Sequence, residues 1–141
     1  MRLADGFLTV LAEYIKRGVI SESPNPRRES DLKSLVYGMQ ELMKDSEGCF
    51  VVMTIYFERL ISRHNMLVNQ ANMSRLLFVA GVMAIKIYDD FASKNSYYAK
   101  LSGLSGYEFN ELERSFLNWI EYELAVQDHE YCFFYQKLCK I

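Results

Sequence analysis

Lys86 follows directly on Leu76-Leu77-Phe78-Val79-Ala80-Gly81-Val82-Met83-Ala84-Ile85, a run without a polar side chain. An ammonium in that place must snorkel to water or meet a partner. The run Asn110-Glu111-Leu112-Glu113-Arg114-Ser115-Phe116-Leu117 offers a carboxylate partner on a second amphipathic segment. A lysine and a carboxylate at one edge are equipped for recognition, because they donate and accept hydrogen bonds with full charge. Asp89-Asp90 raises metal or acid–base chemistry. Neighbours on a helix project about 100° apart, so the two carboxylates do not face one target, and a solvated helix end explains them more simply.

The other reactive residue types are scattered. The three cysteines, Cys49, Cys132 and Cys139, form no C-x-x-C pair, which argues against a disulfide framework and against a zinc site. They read as small hydrophobes, with Cys132 and Cys139 on one helix face. The two histidines, His64 and His129, lack a second ligand at helical spacing and read as surface or helix-end residues. There is no Gly-rich phosphate loop, no G-x-S-x-G and no H-E-x-x-H. The ten tyrosines read as core and interface. Neither an enzyme nor a cofactor is expected, and no metal.

The elements that must position Lys86 are helical. Half of the 141 residues are hydrophobic and 14% are aromatic, enough for one domain with a substantial core. The net charge of −2 gives no support to nucleic-acid binding. No stretch reads as a signal peptide or a membrane span, so an intracellular chain, nuclear and/or cytoplasmic, is expected, with no membrane partner. Leu3 to Val19 carries one apolar stripe through Phe7, Leu8, Leu11, Tyr14 and Ile15. Ser21 to Arg28 holds both prolines and reads as a loop. Ser30 is a candidate N-cap for a helix over Asp31–Lys44. Cys49 to Arg63 is strongly apolar and is expected to be a helix despite its β-branched residues. Asn72 or Ser74 can cap the helix that contains the apolar run and ends near Asp90. Because that helix is apolar all round, it is expected to be central and buried, with Leu77, Ala80, Gly81 and Ala84 deepest. A short helical turn over Ser93–Leu101, an amphipathic helix over Tyr107–Glu123, and a last helix over His129–Leu138 capped by Asp128 complete six or seven helices.

The residues also resemble a family, the P/U-type or phosphate-pathway cyclins. Ile55-Tyr56-Phe57-Glu58-Arg59-Leu60 is similar to that family's Y-I-D-R-L segment, and Val82 to Asp90 is similar to its A-x-K-x-x-D-D segment. Asn95, Tyr98-Ala99-Lys100 and Gly103-Leu104, then Glu108-Phe109-Asn110-Glu111-Leu112-Glu113 with Phe116-Leu117, resemble its N-x-x-Y-A-K-x-x-G-I and E-L-N-x-L-E-x-x-F-L run. Each motif is weak alone; four in the right order carry the resemblance, which covers Ser30 to Val126. The chain departs from the pattern at Glu58, usually aspartate, at Gly38, often arginine, and at Ser74, often histidine.

The resemblance implies an all-α fold, a single cyclin box of five helices around a buried third helix. The box would occupy residues 30–126, with an N-terminal helix and loop over 1–29 and a C-terminal helix over 127–141. It implies a regulatory partner of a cyclin-dependent protein kinase, one that binds and activates the kinase by holding its C-helix and activation segment. In the family a lysine of the third box helix and a glutamate of the fifth hold that region, and by position these are Lys86 and Glu113. Ile87, Asp90, Leu117, Tyr122 and Leu124 would complete the contact surface. The alternative is a helical adaptor of the same fold without kinase activation.

Overall fold

The run from Leu76 to Ile85 cannot leave any side of its helix in water without exposing apolar area at roughly 25 cal/mol per Å². The rest of the chain wraps it. The structure is a computed structural model, which describes residues 2–17, 27–43, 46–64, 72–89 and 92–139. Seven helices stand among them, and no strand: α1 (Arg2–Lys16), α2 (Arg27–Leu42), α3 (Cys49–Arg63), α4 (Met73–Tyr88), α5 (Asn95–Ser102), α6 (Gly106–Trp119) and α7 (Asp128–Cys139). The chain is all-α, as its periodicity predicts.

Helix α4 packs against α2, α3, α5 and α6 at once. Leu77, Ala80, Val82 and Ala84 have no exposed surface, and Gly81 is buried with them. It is therefore the buried third helix of the five-helix set α2–α6. Gly81 lies at a close approach. The tips of three methionines meet there: a Cβ at Gly81 would lie 2.9 Å from Met53 Sδ and 3.2 Å from Met43 Cε, and closer still to Met39 Cε. Helix α3 lies alongside α4 and buries Cys49 to Phe57 without a break, so its β-branched residues serve packing rather than a strand. Aromatic rings extend the core outward. Phe78 meets Phe109 edge-on at 6.2 Å, and Phe109 meets Tyr98 at 6.5 Å, which joins α4, α5 and α6.

Helices α1 and α7 form a second layer over α3, and they touch each other closely. Phe7 of α1 packs on Phe50 of α3 at 6.1 Å. Glu58 of α3 accepts a hydrogen bond from the Tyr14 hydroxyl of α1, and Lys137 of α7 adds a favourable charge interaction. Gly38, where the family often carries an arginine, is exposed with nothing near it. The anion on α3 thus has its partners on the two terminal helices instead of on the first box helix. Burial pushes the Glu58 carboxyl above its ordinary range, and Lys137 opposes this.

Three boundaries and one cap differ from the sequence reading. Helix α2 begins at Arg27, so Ser30 lies inside it and does not cap it. Asn72 occupies the N-cap position of α4, but its side chain makes no cap hydrogen bond. Helix α6 ends at Trp119, before Glu123. Helix α7 starts at Asp128 itself. Conversely, α6 has an N-terminal device that the sequence reading passed over. Ser105 and Glu108 form a capping box: the Ser105 hydroxyl accepts from the Glu108 amide at 3.0 Å, and Glu108 Oε1 accepts from the Ser105 amide at 3.2 Å.

The cysteines are free; Cys49 is buried, Cys139 half-buried, and Cys132 exposed, so Cys132 is not the buried hydrophobe expected. The Cys49 thiol is pushed up to about 11, by burial first and then by Asp89. His64 sits at the C-cap of α3 and His129 is exposed, as helix-end and surface readings predict. Among the described residues, no group of three His, Cys, Asp or Glu side chains is placed to hold a metal ion, and no helix is long and apolar enough to cross a membrane.

Candidate functional site: the edge formed by α4, α6 and the segment after it

Helix α4 emerges from the core in its last turn. Ile85 is buried, Lys86 is half-buried, and Ile87 is 47% exposed. A cation there also meets the negative end of the helix dipole. Helix α6 crosses beside it, anchored by the buried Phe109 and Phe116. Between those two anchors Glu113 turns toward α4. Lys86 Nζ donates to Glu113 Oε2 at 2.6 Å, and the side chains retain 25% and 17% of their exposure. The pairing expected from the sequence is present, at an edge more sheltered than open solvent.

Both oxygens of Glu113 are engaged. Asn95, the first residue of α5, donates through Nδ2 to Glu113 Oε1 at 3.2 Å and to Asn110 Oδ1 at 2.9 Å. The carboxylate is therefore held by a cation on one oxygen and an amide on the other. Asn95 Oδ1 is buried without a partner, an unusual expense for a native fold. The sequence reading placed Asn95 only within a family motif and gave it no role in the site. Its signal was an amide residue at the start of a short helix, which is too common to single out.

The remaining predicted site residues divide. Leu117 lies one turn after Glu113 on α6 and is half-buried against the core. Ile87 is exposed beside Lys86. Tyr122 and Leu124 are not on α6. They follow its end, Tyr122 at 59% exposure and Leu124 half-buried against the core. Asp90 falls outside the described residues.

Helix α6 closes at the left-handed Glu121, whose amide returns to Asn118 O, and α3 with its C-cap His64 takes the carbonyls around this turn. Arg63 Nη1 donates to Ile120 O at 2.5 Å, and the His64 ring nitrogen Nε2 lies 3.0 Å from Trp119 O. Arg59 donates to Glu123 O at 2.6 Å and to Ala125 O at 3.0 Å, and Tyr56 donates to Leu124 O at 2.7 Å. Burial raises the pKa of the Tyr56 hydroxyl, keeping it a donor. Glu121 and Tyr122 both take a left-handed φ of 57°. The Tyr88 hydroxyl, at the end of α4, donates to Leu124 O at 3.3 Å and accepts from the Val126 amide at 3.1 Å. The Tyr122 amide donates to Leu117 O at 2.8 Å, so the segment continues directly from the turn of α6 that follows Glu113.

A family model, Cyclin, matches residues 29–124. Cyclin-U4-3 of Arabidopsis thaliana is 34% identical over 110 residues, covering 75% of this chain and 50% of the relative. Cyclin-P3-1 of Oryza sativa subsp. japonica is 32% identical over 136 residues, covering 84% of this chain and 57% of the relative. Cyclin-P4-1 of the same plant is 39% identical over 82 residues, covering 57% and 39%. The chain thus spans about half the length of the curated relatives it matches. No solved structure gives a significant match. With the helical box around α4 and a family match that runs from α2 past the end of α6, the chain belongs to the cyclin family, as a cyclin-box protein similar to the plant U- and P-type cyclins.

Proposed function

We propose that this chain is a regulatory subunit that binds a cyclin-dependent protein kinase through the α4–α6 edge and activates it. The observation that carries the reading is the Lys86–Glu113 pair, formed at 2.6 Å between the third and fifth box helices, with the exposed Ile87 beside it. A kinase is active when its C-helix glutamate is paired with the ATP-binding lysine. A rigid helical edge that binds this arrangement better than the inactive one shifts the population toward it. Lys86 would donate to, and Glu113 accept from, exposed backbone groups of the kinase, and the neighbouring apolar side chains would close the contact. The chain itself supplies no catalytic group to this reaction; its role is regulatory.

The test uses the cyclin-dependent kinase that co-purifies with the chain. Lys86→Ala and Glu113→Ala each remove one partner of a charge pair that becomes fully buried in a complex, which costs roughly 2–5 kcal/mol in binding. Affinity is expected to fall about thirty-fold or more, and kinase activation with it. The free fold should lose about 1 kcal/mol, because the pair retains solvent contact. Parent-like binding by both variants would refute the assignment. Unfolding of both would make the pair structural. Binding without a gain in kinase activity would identify a helical adaptor.

A further inference from the structure

We propose that Arg59 and Arg63 of α3 are positioning residues for the kinase-docking edge: through its carbonyls they fix the strained segment that presents Tyr122. The inference rests on the docking reading above and adds the part of the chain that gives this edge its shape.

Two consecutive residues that are not glycine, Glu121 and Tyr122, hold a left-handed φ of 57°. Side chains disfavour that region because Cβ crowds the following carbonyl. Such outliers persist where the surrounding structure over-determines them, and they cluster at functional sites. Here the over-determination is visible. On one side of the pair the Trp119 and Ile120 carbonyls are bound by His64 and Arg63. On the other side the Glu123 and Ala125 carbonyls are both taken by the fork of Arg59. The arginines have their charge balanced in place. Arg59 pairs with Glu130 at 2.9 Å, and Arg63 pairs with Glu123 and lies 3.9 Å from Glu121.

The fold could end α6 on a glycine, as it ends α5 on the left-handed Gly103. Instead it keeps a tyrosine there, a residue 59% exposed. That makes little sense for stability and good sense for binding. An aromatic side chain on a backbone already fixed loses little freedom when a partner covers it. Aromatic rings are also the side chains that most often anchor interfaces. The Tyr122 amide donates to Leu117 O, one turn beyond Glu113, and Tyr88 ties Leu124 and Val126 to the end of α4, so the segment borders the Lys86–Glu113 edge. The occupant is therefore the kinase proposed for that edge.

Arg59 is the specific probe. Its two terminal nitrogens reach two carbonyls and Glu130 together. A lysine keeps the charge and the stem but gathers its donors on one nitrogen, so it cannot reproduce the fork that spans the two carbonyls. The experiment measures kinase affinity and melting temperature for the parent, Lys86→Ala, Arg59→Lys and Tyr122→Gly. Tyr122→Gly is expected to melt no lower than the parent, since glycine accepts this φ, yet to bind about tenfold more weakly or worse. Arg59→Lys is expected to keep its helical content and to lose affinity by a similar factor. Parent-like binding by either variant, while Lys86→Ala binds weakly, overturns the positioning role and leaves the docking reading standing. If the parent itself retains no cyclin-dependent kinase, the docking reading falls and this proposal with it.

Discussion

Adding one methyl group to Gly6 should push α1 away from α7. The Cβ of Gly6→Ala would stand 2.8 Å from the carbonyl carbon of Leu138 and 2.9 Å from its Cα, and closer still to its oxygen. Carbon atoms pack at about 3.5–4.0 Å, so the two helices must part by roughly 1 Å. The obstacle is backbone, which cannot rotate aside as a side-chain tip does. Leu138, Ala4 and Phe7 are completely or almost completely buried around the crossing, so the displacement also loosens their packing. A gap of that size forfeits a quarter to a half of the dispersion well of each contact. Overpacking costs roughly 1–3 kcal/mol, and a backbone obstacle puts this site at the upper end, about 2–3 kcal/mol. Alanine returns about 1 kcal/mol of helix propensity. A net loss of about 1–2 kcal/mol remains, which at this chain length lowers the melting temperature by roughly 4–8 °C. Gly38→Ala is the control: it lies on the exposed face of α2 with nothing within 4 Å, so the propensity gain should appear alone and raise the melting temperature. The assay is thermal unfolding followed by far-ultraviolet circular dichroism. If Gly6→Ala melts at or above the parent, α1 and α7 do not meet backbone to backbone at this point, and the two-layer account of the terminal helices is wrong.

Three further outcomes follow from the packing and the charges. Gly81→Leu drives a branched side chain into the tips of Met39, Met43 and Met53 and should cost roughly 1–3 kcal/mol or more; an unchanged melting curve would remove α4 from the centre of the core. Ser105→Ala removes the hydroxyl half of the capping box and should destabilise the chain by about 1 kcal/mol, read from urea unfolding; equal midpoints and slopes would show that the cap contributes nothing. Glu58 is the pH probe. Its folded-state pKa is raised above the ordinary 4.5, so the stability it contributes is fully present below that value and is lost as pH rises through the raised one. Glu58→Gln keeps an acceptor for Tyr14 without the buried charge, so at pH 7 it should melt above the parent, and the difference should shrink below pH 4.5; a variant that melts lower at pH 7 would make the Lys137 attraction the dominant effect.

What could be read from the sequence follows from the range of the forces involved. The central helix was legible because its cause is local: an uninterrupted apolar run has only one place to go. The meeting of Lys86 and Glu113 was legible in a weaker sense. Periodicity placed each residue on a helix, and family resemblance supplied the pairing that periodicity lacked. The start of α6 could have been read from Ser105 and Glu108, three residues apart, and was overlooked. Its end could not. Nothing between Trp119 and Glu123 resembles a stop signal: the stretch has no glycine and no proline, and it continues the amphipathic pattern. The helix closes at the left-handed Glu121 while Arg59, Arg63 and His64 take the carbonyls around this turn, and those side chains lie more than fifty positions earlier in the chain. The two halves of the proposed docking edge differ in the same way. Lys86 and Glu113 are placed by helices whose own patterns define them. Tyr122 and Leu124 are placed by a neighbour's side chains, so their geometry should respond to substitution in α3 even where their own residues are untouched. That dependence is why Arg59, which contacts no predicted binding side chain, is the more telling residue to change.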